Sequence, residues 1–454
     1  MSKLLKKIGL RQDRVGPSIV DGVADGYEAF ALAAISSEVA PDGPLVFVAR
    51  DGQRLPLIAE ALSFVAPGLP LLELPAWDCL PYDRVSPGSD AAARRLDGLS
   101  GIAALAEKPH RAVILTSANA LLQRVPPAEI IAAQGFRAKP GNQVEMKALI
   151  ARLETSGFER VPTVRDVGEF AVRGGILDLY APGAAEAVRL DFFGDTLESI
   201  RAFDVATQRT TGQRTVIEMQ AMSEVALSPE TISRFRRNYI EAFGAPARDD
   251  ALYAAISEGR RFAGMEHWLP FFYERLSTVF EYLPDAPFVF DHLAREAIGE
   301  RHTLILDHYE ARRKQADGAL KDAVPYKPVP PAALALSPDE VTAGLAERVS
   351  VELTPFAAPE ATAVRILHAG ARAGKRFEQE RADPGANVFD AAVSHIGSLR
   401  AAGRRVVIAG WTEGLQRMKP GGKARLVYAN PCRAPSRQSE ARGSARRGRG
   451  APRR

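Results

Sequence analysis

A glycine-containing segment ahead of the first helical stretch is the place where this chain could bind a nucleotide phosphate. It reads GVADGYEA over residues 22–29, with Gly22 and Gly26 as its glycines. Phosphate loops need a lysine for the phosphates and a hydroxyl residue for magnesium, but Asp25 and Glu28 stand there instead. Negative side chains repel a triphosphate. The sequence therefore predicts that no functional ATP-binding loop is present at Gly22 and Gly26.

Asp291 is the second position with catalytic potential. It ends the segment FVFD (residues 288–291), which has the form of an apolar strand followed by a metal-binding aspartate. Without a lysine loop, a nucleotide-dependent enzyme with Asp291 as metal ligand is the weaker alternative. The sequence contains no H-E-x-x-H, C-x-x-C or G-x-S-x-G motif. We therefore predict no catalytic residue, no metal site and no cofactor.

A third constellation could bind protein rather than do chemistry. The segment 169–204 reads as three short strands joined by turns at Pro182-Gly183 and Gly194-Asp195. In its middle strand, side chains of alternating parity face opposite ways, so Arg189, Asp191 and Phe193 share a face. A phenylalanine is unexpected among charged side chains unless another surface packs against it. Another element of the same chain could provide that surface. Alternatively, the exposed aromatic beside arginine is a hot spot for binding another protein.

The elements that position these residues alternate between strand and helix in the first 125 residues. Helices are predicted at 27–38, 53–64 and 90–106, and buried strands at 45–49, 71–74 and 112–116. Continuous apolar strands between helices indicate a parallel α/β sheet. The loop LPAWDCLPYDRVSPGSD (residues 74–90), which contains Trp77 and Tyr82, lies between a strand and a helix. It is either a rigid connection packed by its own aromatics or a binding loop.

Length and charge limit the remaining options. A chain of 454 residues is too long for one core and predicts about three domains. Residues 431–454 hold eight arginines and one glutamate, which is +7, so the preceding residues sum to −3 of the total +4. The basic charge thus belongs to a tail without apolar periodicity. Cys79 and Cys432 offer no disulfide framework, and no signal-length or membrane-length apolar run occurs, which fits a cytoplasmic protein.

Several segments in order resemble a known family. They are LPAWDCLPYDRVSPGSD with ARRLDGL, VRDVGEFAVRGGILDLYAPG, RLDFFGDTLESIRAFD and GRRFAGMEHWLPFFYERLSTVFEYLP. Together they resemble the N-terminal part of the bacterial transcription-repair coupling factors (Mfd), up to about residue 414. The resemblance implies transcription-coupled nucleotide excision repair, with a fold similar to the damage-verification protein UvrB.

The resemblance also implies a domain layout. A UvrB-like, degenerate P-loop-type parallel α/β domain (1–126 and 213–345) would be split by a small α+β UvrA-binding domain (127–212). A second small α/β domain of unknown role (346–418) and a disordered basic tail (419–454) would follow. The family's UvrA-binding arginines and phenylalanine match Arg173, Arg189 and Phe193. Its lost ATP loop agrees with the loop at Gly22 and Gly26.

The end of the chain departs from the family pattern. Nothing in it resembles the RNA-polymerase-binding domain or the ATP-driven DNA translocase of the family, so the sequence leads us to expect a truncated chain. That expectation includes no enzymatic activity, no RNA polymerase contact and UvrA as the partner. Contact with DNA through the arginine-rich tail stays open as a separate hypothesis, which predicts strongly salt-dependent binding.

Overall fold

The computed structural model describes residues 8–13, 15–317, 326–359, 364–370, 375–404, 406, 409–410 and 427–428. The chain divides into two compact units, Met1–Arg372 and Ala373–Arg454. The predicted basic tail (419–454) lies outside the described residues except for residues 427–428.

The first part of unit one alternates strand and helix as the sequence predicts. Its elements are β1 (Gly16–Asp21), α1 (Glu28–Val39), β2 (Pro44–Ala49), α2 (Arg54–Val65), β3 (Leu71–Leu74), α3 (Ser89–Glu107), β4 (Ala112–Ser117), α4 (Ala118–Leu122) and α5 (Ala128–Gln134). The predicted helices and strands are confirmed to within two residues at each end. Strand β1 was not predicted, because GPSIVD is short and begins with Gly and Pro, which are turn signals.

A second sheet interrupts the first. Its region contains β5 (Phe136–Ala138), α6 (Met146–Thr155), β6 (Glu159–Arg160), β7 (Glu169–Arg173), β8 (Ile176–Leu179), β9 (Ala187–Phe193), β10 (Thr196–Phe203), β11 (Thr210–Arg214) and β12 (Ile217–Met219). Strands β6 to β11 form one sheet in the order β11-β10-β9-β8-β7-β6. Between residues 169 and 204 there are four strands rather than the predicted three, since Gly174-Gly175 separates β7 from β8.

The chain then returns to the first sheet. The elements are α7 (Pro229–Phe243), α8 (Ala251–Ser257), a 3₁₀ helix (Met265–Phe271), α9 (Val279–Tyr282), β13 (Phe288–Phe290), α10 (Ala294–Asp317), α11 (Pro331–Leu334), α12 (Pro338–Leu345), β14 (Val349–Leu353) and β15 (Arg365–His368). The aromatic-rich segments around α7 and the 3₁₀ helix pack together with Phe235, Tyr239 and Phe272 among the most buried rings.

The large sheet has seven strands in the order β15-β1-β14-β13-β2-β4-β3, and every pairing is parallel. Alternate side chains of β2 enter two different cores. Val46 and Val48 join one cluster and Leu45 and Phe47 the other. A sheet covered on both faces explains why its strands read as continuous apolar runs.

Two predicted domain boundaries differ from the structure. The small domain was predicted to begin at 127, but α5 packs into the large domain through buried Ile131. Strands β5 and β12 pair antiparallel, so the entering and leaving chains meet at 136–138 and 217–219. The last domain was predicted to begin at 346, but β14 and β15 both pair with β1. Because β14 and β15 are close to the following elements in sequence, they were assigned to the last domain. Their parallel pairing with β1 instead places them in the large sheet.

Unit two contains α13 (Glu378–Ala382), α14 (Val388–Ala401), β16 (Ala409–Gly410) and β17 (Val427–Tyr428). Helix α14 lies within the small domain predicted at 346–418. Parts of that predicted domain, including residues 411–418, lie outside the described residues. In the part of the chain that the structure describes, none of the helices combines the length and apolar character needed to cross a membrane.

Candidate protein-binding face

The small sheet buries one face and leaves much of the other open. Leu177, Leu190 and Ile200 from three neighbouring strands are buried in one cluster, and Val188 and Phe192 pack against it. This confirms the predicted alternation of β9, since its odd-numbered residues from 189 to 193 point away from that cluster. We call the opposite side, formed by residues 173, 176, 178, 189, 191, 193, 199 and 201, the open face.

Two tight turns set the end of the open face that carries Phe193. Gly194 has a φ of +59° and joins β9 to β10 with Asp195, which confirms the predicted two-residue loop. Gly175 in the β7–β8 turn accepts a 2.8 Å hydrogen bond at its carbonyl from the Phe192 amide. A Cβ at Gly175 would lie 2.8 Å from the Phe192 carbonyl oxygen. Glycine is therefore needed for β7–β8 to approach β9 beside Phe193.

The middle of the open face is an arginine held by a buried carboxylate. Asp178 on β8 lies opposite Arg189 on β9. The Arg189 guanidinium donates to both carboxylate oxygens of Asp178 at 2.7 and 2.8 Å. Its charge also lies over the Phe203 ring, 4.9 Å from the centroid. The hydrogen bond with Asp178 raises the pKa of Arg189. Arg189 is thus fixed in place rather than free in solvent.

A second arginine pairs in the same way one strand further. Arg201 on β10 lies opposite Arg189, and it donates to the two Asp191 oxygens at 2.6 and 2.9 Å. Ser199 donates to Asp191 as well. Burial alone would raise the pKa of Asp191, but the hydrogen bonds from Arg201 and Ser199 outweigh it and lower that pKa. Each of the two opposed arginines is paired with its own carboxylate, which offsets the repulsion expected between like charges on neighbouring strands.

Phe193 and Arg173 differ from these paired residues. Phe193 is 76% exposed, the highest value among the large exposed hydrophobic side chains of the described residues. Arg173, at the end of β7, donates to the Pro162 carbonyl at 3.0 Å and the Thr163 hydroxyl at 3.2 Å. No carboxylate among the described residues lies within ion-pair distance of it. The open face therefore keeps one apolar ring and one arginine without an acidic partner.

Arg173, Arg189 and Phe193, the three residues named from the sequence, all lie on the open face. Asp178 and Arg201, which form ion pairs in the middle of that face, were not predicted. The sequence contains one indication of the position of Arg201: the apolar residues Leu197 and Ile200 are three positions apart, which breaks the strand period of two. In the structure both are buried, and the register with β9 shifts between Leu197 and Ser199. Such a shift is a β-bulge, and it turns Arg201 toward the open face.

The predicted degenerate loop lies between β1 and α1, at the carboxyl edge of the large sheet. Glu28 accepts a 2.6 Å hydrogen bond from the Gly26 amide through one oxygen and a 2.7 Å bond from Arg54 through the other. Arg54 also forms an ion pair with Asp291 at 2.5 Å. Burial raises the pKa of Asp291 although Arg54 acts in the opposite direction. The Glu28 carboxylate thus accepts the hydrogen bond from the Gly26 amide, which in a phosphate loop would be donated to a phosphate.

Comparison with known proteins identifies the small domain. Residues 136–224 match the family model described as the UvrB interaction domain. These bounds agree with the antiparallel closure of β5 and β12 better than with the predicted 127–212. The match includes the whole open face.

Curated relatives extend the likeness beyond the small domain. A protein of Rickettsia bellii named transcription-repair-coupling factor is 34% identical over 268 residues, which is 59% of this chain and 24% of that protein. Its namesake in Rickettsia conorii is 31% identical over 325 residues, 72% of this chain and 28% of that protein. The predicted resemblance to the transcription-repair-coupling factors is confirmed. The Escherichia coli protein of the same name is 32% identical over 257 residues, 56% of this chain and 22% of that protein. The chain spans about a quarter of the length of these relatives.

Proposed function

We propose that this chain recruits UvrA by protein–protein contact through the open face of its small domain, as part of transcription-coupled nucleotide excision repair. The names of its relatives and the UvrB interaction domain match support the pathway. The main support for the proposal is the exposure of Phe193, which lies on the open face beside arginines and next to the tight turn at Gly194-Asp195. Exposed aromatics next to arginines are typical anchors of interfaces.

The contacts of the face define what UvrA must offer. Arg189 and Arg201 already have carboxylates, so burying them against a partner leaves no uncompensated charge. Arg173 donates only to neutral oxygens among the described residues. The matching surface therefore carries an apolar pocket for the Phe193 ring and a carboxylate for Arg173. A charge-assisted hydrogen bond formed on binding would favour the complex.

Titration calorimetry with purified UvrA tests the proposal. We expect Phe193→Ala, Arg173→Ala and Arg189→Ala each to weaken binding by about 1–4 kcal/mol, as truncation of interface anchors does. Phe193→Ala should have the cleanest effect, because an exposed ring contributes little to folding.

Two matched variants serve as controls. Phe356→Ala removes another exposed phenylalanine, 67% accessible, outside the small sheet. Arg137→Ala removes an exposed arginine that pairs with Glu218 on the β5–β12 ribbon. Both should bind UvrA like the unchanged chain. Equal affinity for all five variants would refute the proposed face.

The proposal includes no ATP-dependent activity for these residues. It is supported by Glu28, which occupies the amide of Gly26, and by Arg54, a cation that would repel a metal ion at Asp291. Equilibrium dialysis with radiolabelled ATP and magnesium should give no saturable binding up to millimolar nucleotide. Micromolar binding that requires magnesium and is lost in Asp291→Asn would instead support the alternative, a nucleotide-dependent enzyme.

A further inference from the structure

A loop covers one end of the side of the small sheet that carries the open face. We call this loop, residues 161–168 between β6 and β7, the strap. Its Val164 is 0% exposed and lies in a small apolar cluster with Ala171, Ala187 and Phe203. Each of these three lies two positions along its strand from an arginine of the open face, and therefore on the same side of the sheet. The open face is thus bordered by a second, smaller core, to which the strap belongs.

Hydrogen bonds tie the strap to the sheet at two points. The Glu169 carboxylate on β7 accepts hydrogen bonds from the backbone amides of Arg165 and Asp166 at 2.7 and 2.9 Å. The Gln208 side-chain amide, in the turn between β10 and β11, donates to the Val164 carbonyl at 3.0 Å. Gln208 has a φ of +59°, in the left-handed region that residues other than glycine rarely adopt. Such a residue persists where surrounding contacts hold it, so the fold maintains this bond to the strap at a cost in backbone strain.

The strap and its small core hold the two arginines of the proposed contact. Arg173 donates through Nη2 to the Pro162 carbonyl at 3.0 Å and to the Thr163 hydroxyl at 3.2 Å, and both acceptors belong to the strap. The Arg189 guanidinium lies over the ring of Phe203, which belongs to the same apolar cluster. A free arginine side chain loses rotamer entropy when a partner orders it, and an arginine that is already held loses less. The strap therefore lowers the entropic cost of using these side chains in an interface.

We propose that the strap orients Arg173 for contact with UvrA, with Thr163 as the positioning residue. Val164 and Gln208 in turn fix the strap. This inference rests on the proposed function of the open face. Among the described residues both bonds from Arg173 use Nη2, so the donors at Nε and Nη1 stay available to an acidic side chain of UvrA. The role of Thr163 is to hold the guanidinium at the face before UvrA arrives.

Titration calorimetry of the whole chain with UvrA tests the role of Thr163. Thr163→Val keeps the branched shape and removes the hydroxyl, so we expect binding to weaken about two- to tenfold, the range for one lost neutral hydrogen bond. Thr163→Ser keeps the hydroxyl and should bind like the unchanged chain. Thr342→Val is the matched control, because it removes a threonine hydroxyl that donates to the Pro338 carbonyl in the large domain. It should leave the affinity for UvrA unchanged.

An Arg173→Ala background separates positioning from a general loss of structure. In that background Thr163→Val should have no further effect on affinity, because the group that it positions is gone. If Thr163→Val leaves the affinity unchanged while Arg173→Ala weakens it, the inference is overturned and the proposed face still stands. Equal losses from Thr163→Val with and without Arg173 overturn the inference as well. If Arg173→Ala binds like the unchanged chain, Arg173 is not part of the interface and the inference fails with it.

Hydrogen exchange followed by mass spectrometry tests the strap in the absence of UvrA. Gln208→Gly removes the amide that bonds Val164 and introduces a residue that adopts positive φ freely. We expect faster exchange across residues 161–168 and UvrA binding weaker by about two- to tenfold. Unchanged exchange would show that Gln208 does not hold the strap, and faster exchange with unchanged affinity would show that the order of the strap does not affect Arg173. Either result overturns the inference, and thermal unfolding of each variant verifies that the comparison is made on folded protein.

Discussion

Two regions of this molecule hold arginines beside buried carboxylates, and they use them differently. At the carboxyl edge of the large sheet, Arg54 lies between Glu28 and Asp291, which are 5% and 2% exposed. On the open face of the small sheet, Arg189 is held by Asp178 in much the same geometry. Beside it, however, Phe193 stands out into solvent. The first region is complete by itself, and the second is not.

Under the proposed function, the difference separates a polar cluster that serves folding from one that also serves binding. A cluster whose charges all pair internally stabilises its own domain and has nothing left for a ligand. A face that pairs its central charges but leaves an apolar ring exposed is already arranged for contact. Shifted pKa values alone would not distinguish the two regions, since charged groups in both have them.

Among the tests of this contrast, we expect the largest effect from Arg54→Ala. Without Arg54, two buried carboxylates lose their cation, so we expect the free energy of unfolding to fall by about 3–5 kcal/mol. Urea unfolding followed by circular dichroism measures this loss. Under conditions in which the variant is folded, its affinity for UvrA should be unchanged.

Arg50→Ala is the matched control, because Arg50 pairs with Asp51 at the surface. Its effect on unfolding should stay within about 1 kcal/mol. A similarly small effect of Arg54→Ala would contradict the description of the edge as a closed cluster. A loss of UvrA affinity in folded Arg54→Ala would show that the two regions are coupled.

The second test separates the position of Arg189 from its charge. Asp178→Asn keeps Arg189 but removes the carboxylate that fixes it, and should lower the free energy of unfolding by about 1–3 kcal/mol. UvrA binding should weaken as well, since the guanidinium must be ordered on binding. In an Arg189→Ala background, Asp178→Asn should have no further effect on affinity. Additive losses in the double variant would mean that Asp178 acts independently of Arg189.

Much of this architecture follows from local patterns in the sequence. Helix α1 was predicted one residue away from its bounds. Strand β2 was predicted to within one residue, because buried parallel strands are unbroken apolar runs. The turn at Gly194-Asp195 follows from its residue types. The face of Phe193 follows from the alternation in β9. In each case the determining residues lie within a few positions of one another.

The remaining features depend on strands and side chains that are distant in sequence, which a local pattern does not identify. The pairing of β14 with β1 joins residues more than three hundred positions apart. The Arg189–Asp178 pair depends on the register across the turn from β8 to β9, whose seven residues do not fix a turn type. Whether Arg189 was free or held could therefore not be read from its neighbours in the sequence.

The smallest test concerns the pH dependence of the open face. The pKa of Asp191 is lowered in the folded chain, so its contribution to stability is present above the unfolded value of about 3.9 and is lost as pH falls through the folded pKa. Because the Asp191–Arg201 pair is partly exposed, the contribution should be about 0.2–1 kcal/mol. Urea midpoints for the unchanged chain and Asp191→Asn should thus differ at pH 6 to 7 and converge below about pH 4. The same comparison in an Arg201→Gln background should show a smaller difference, because the main donor to Asp191 is gone. If the difference in urea midpoint persisted at low pH in both backgrounds, Asp191 would stabilise the fold by packing rather than by charge. The open face would then be ordered by side-chain packing and not by its ion pairs.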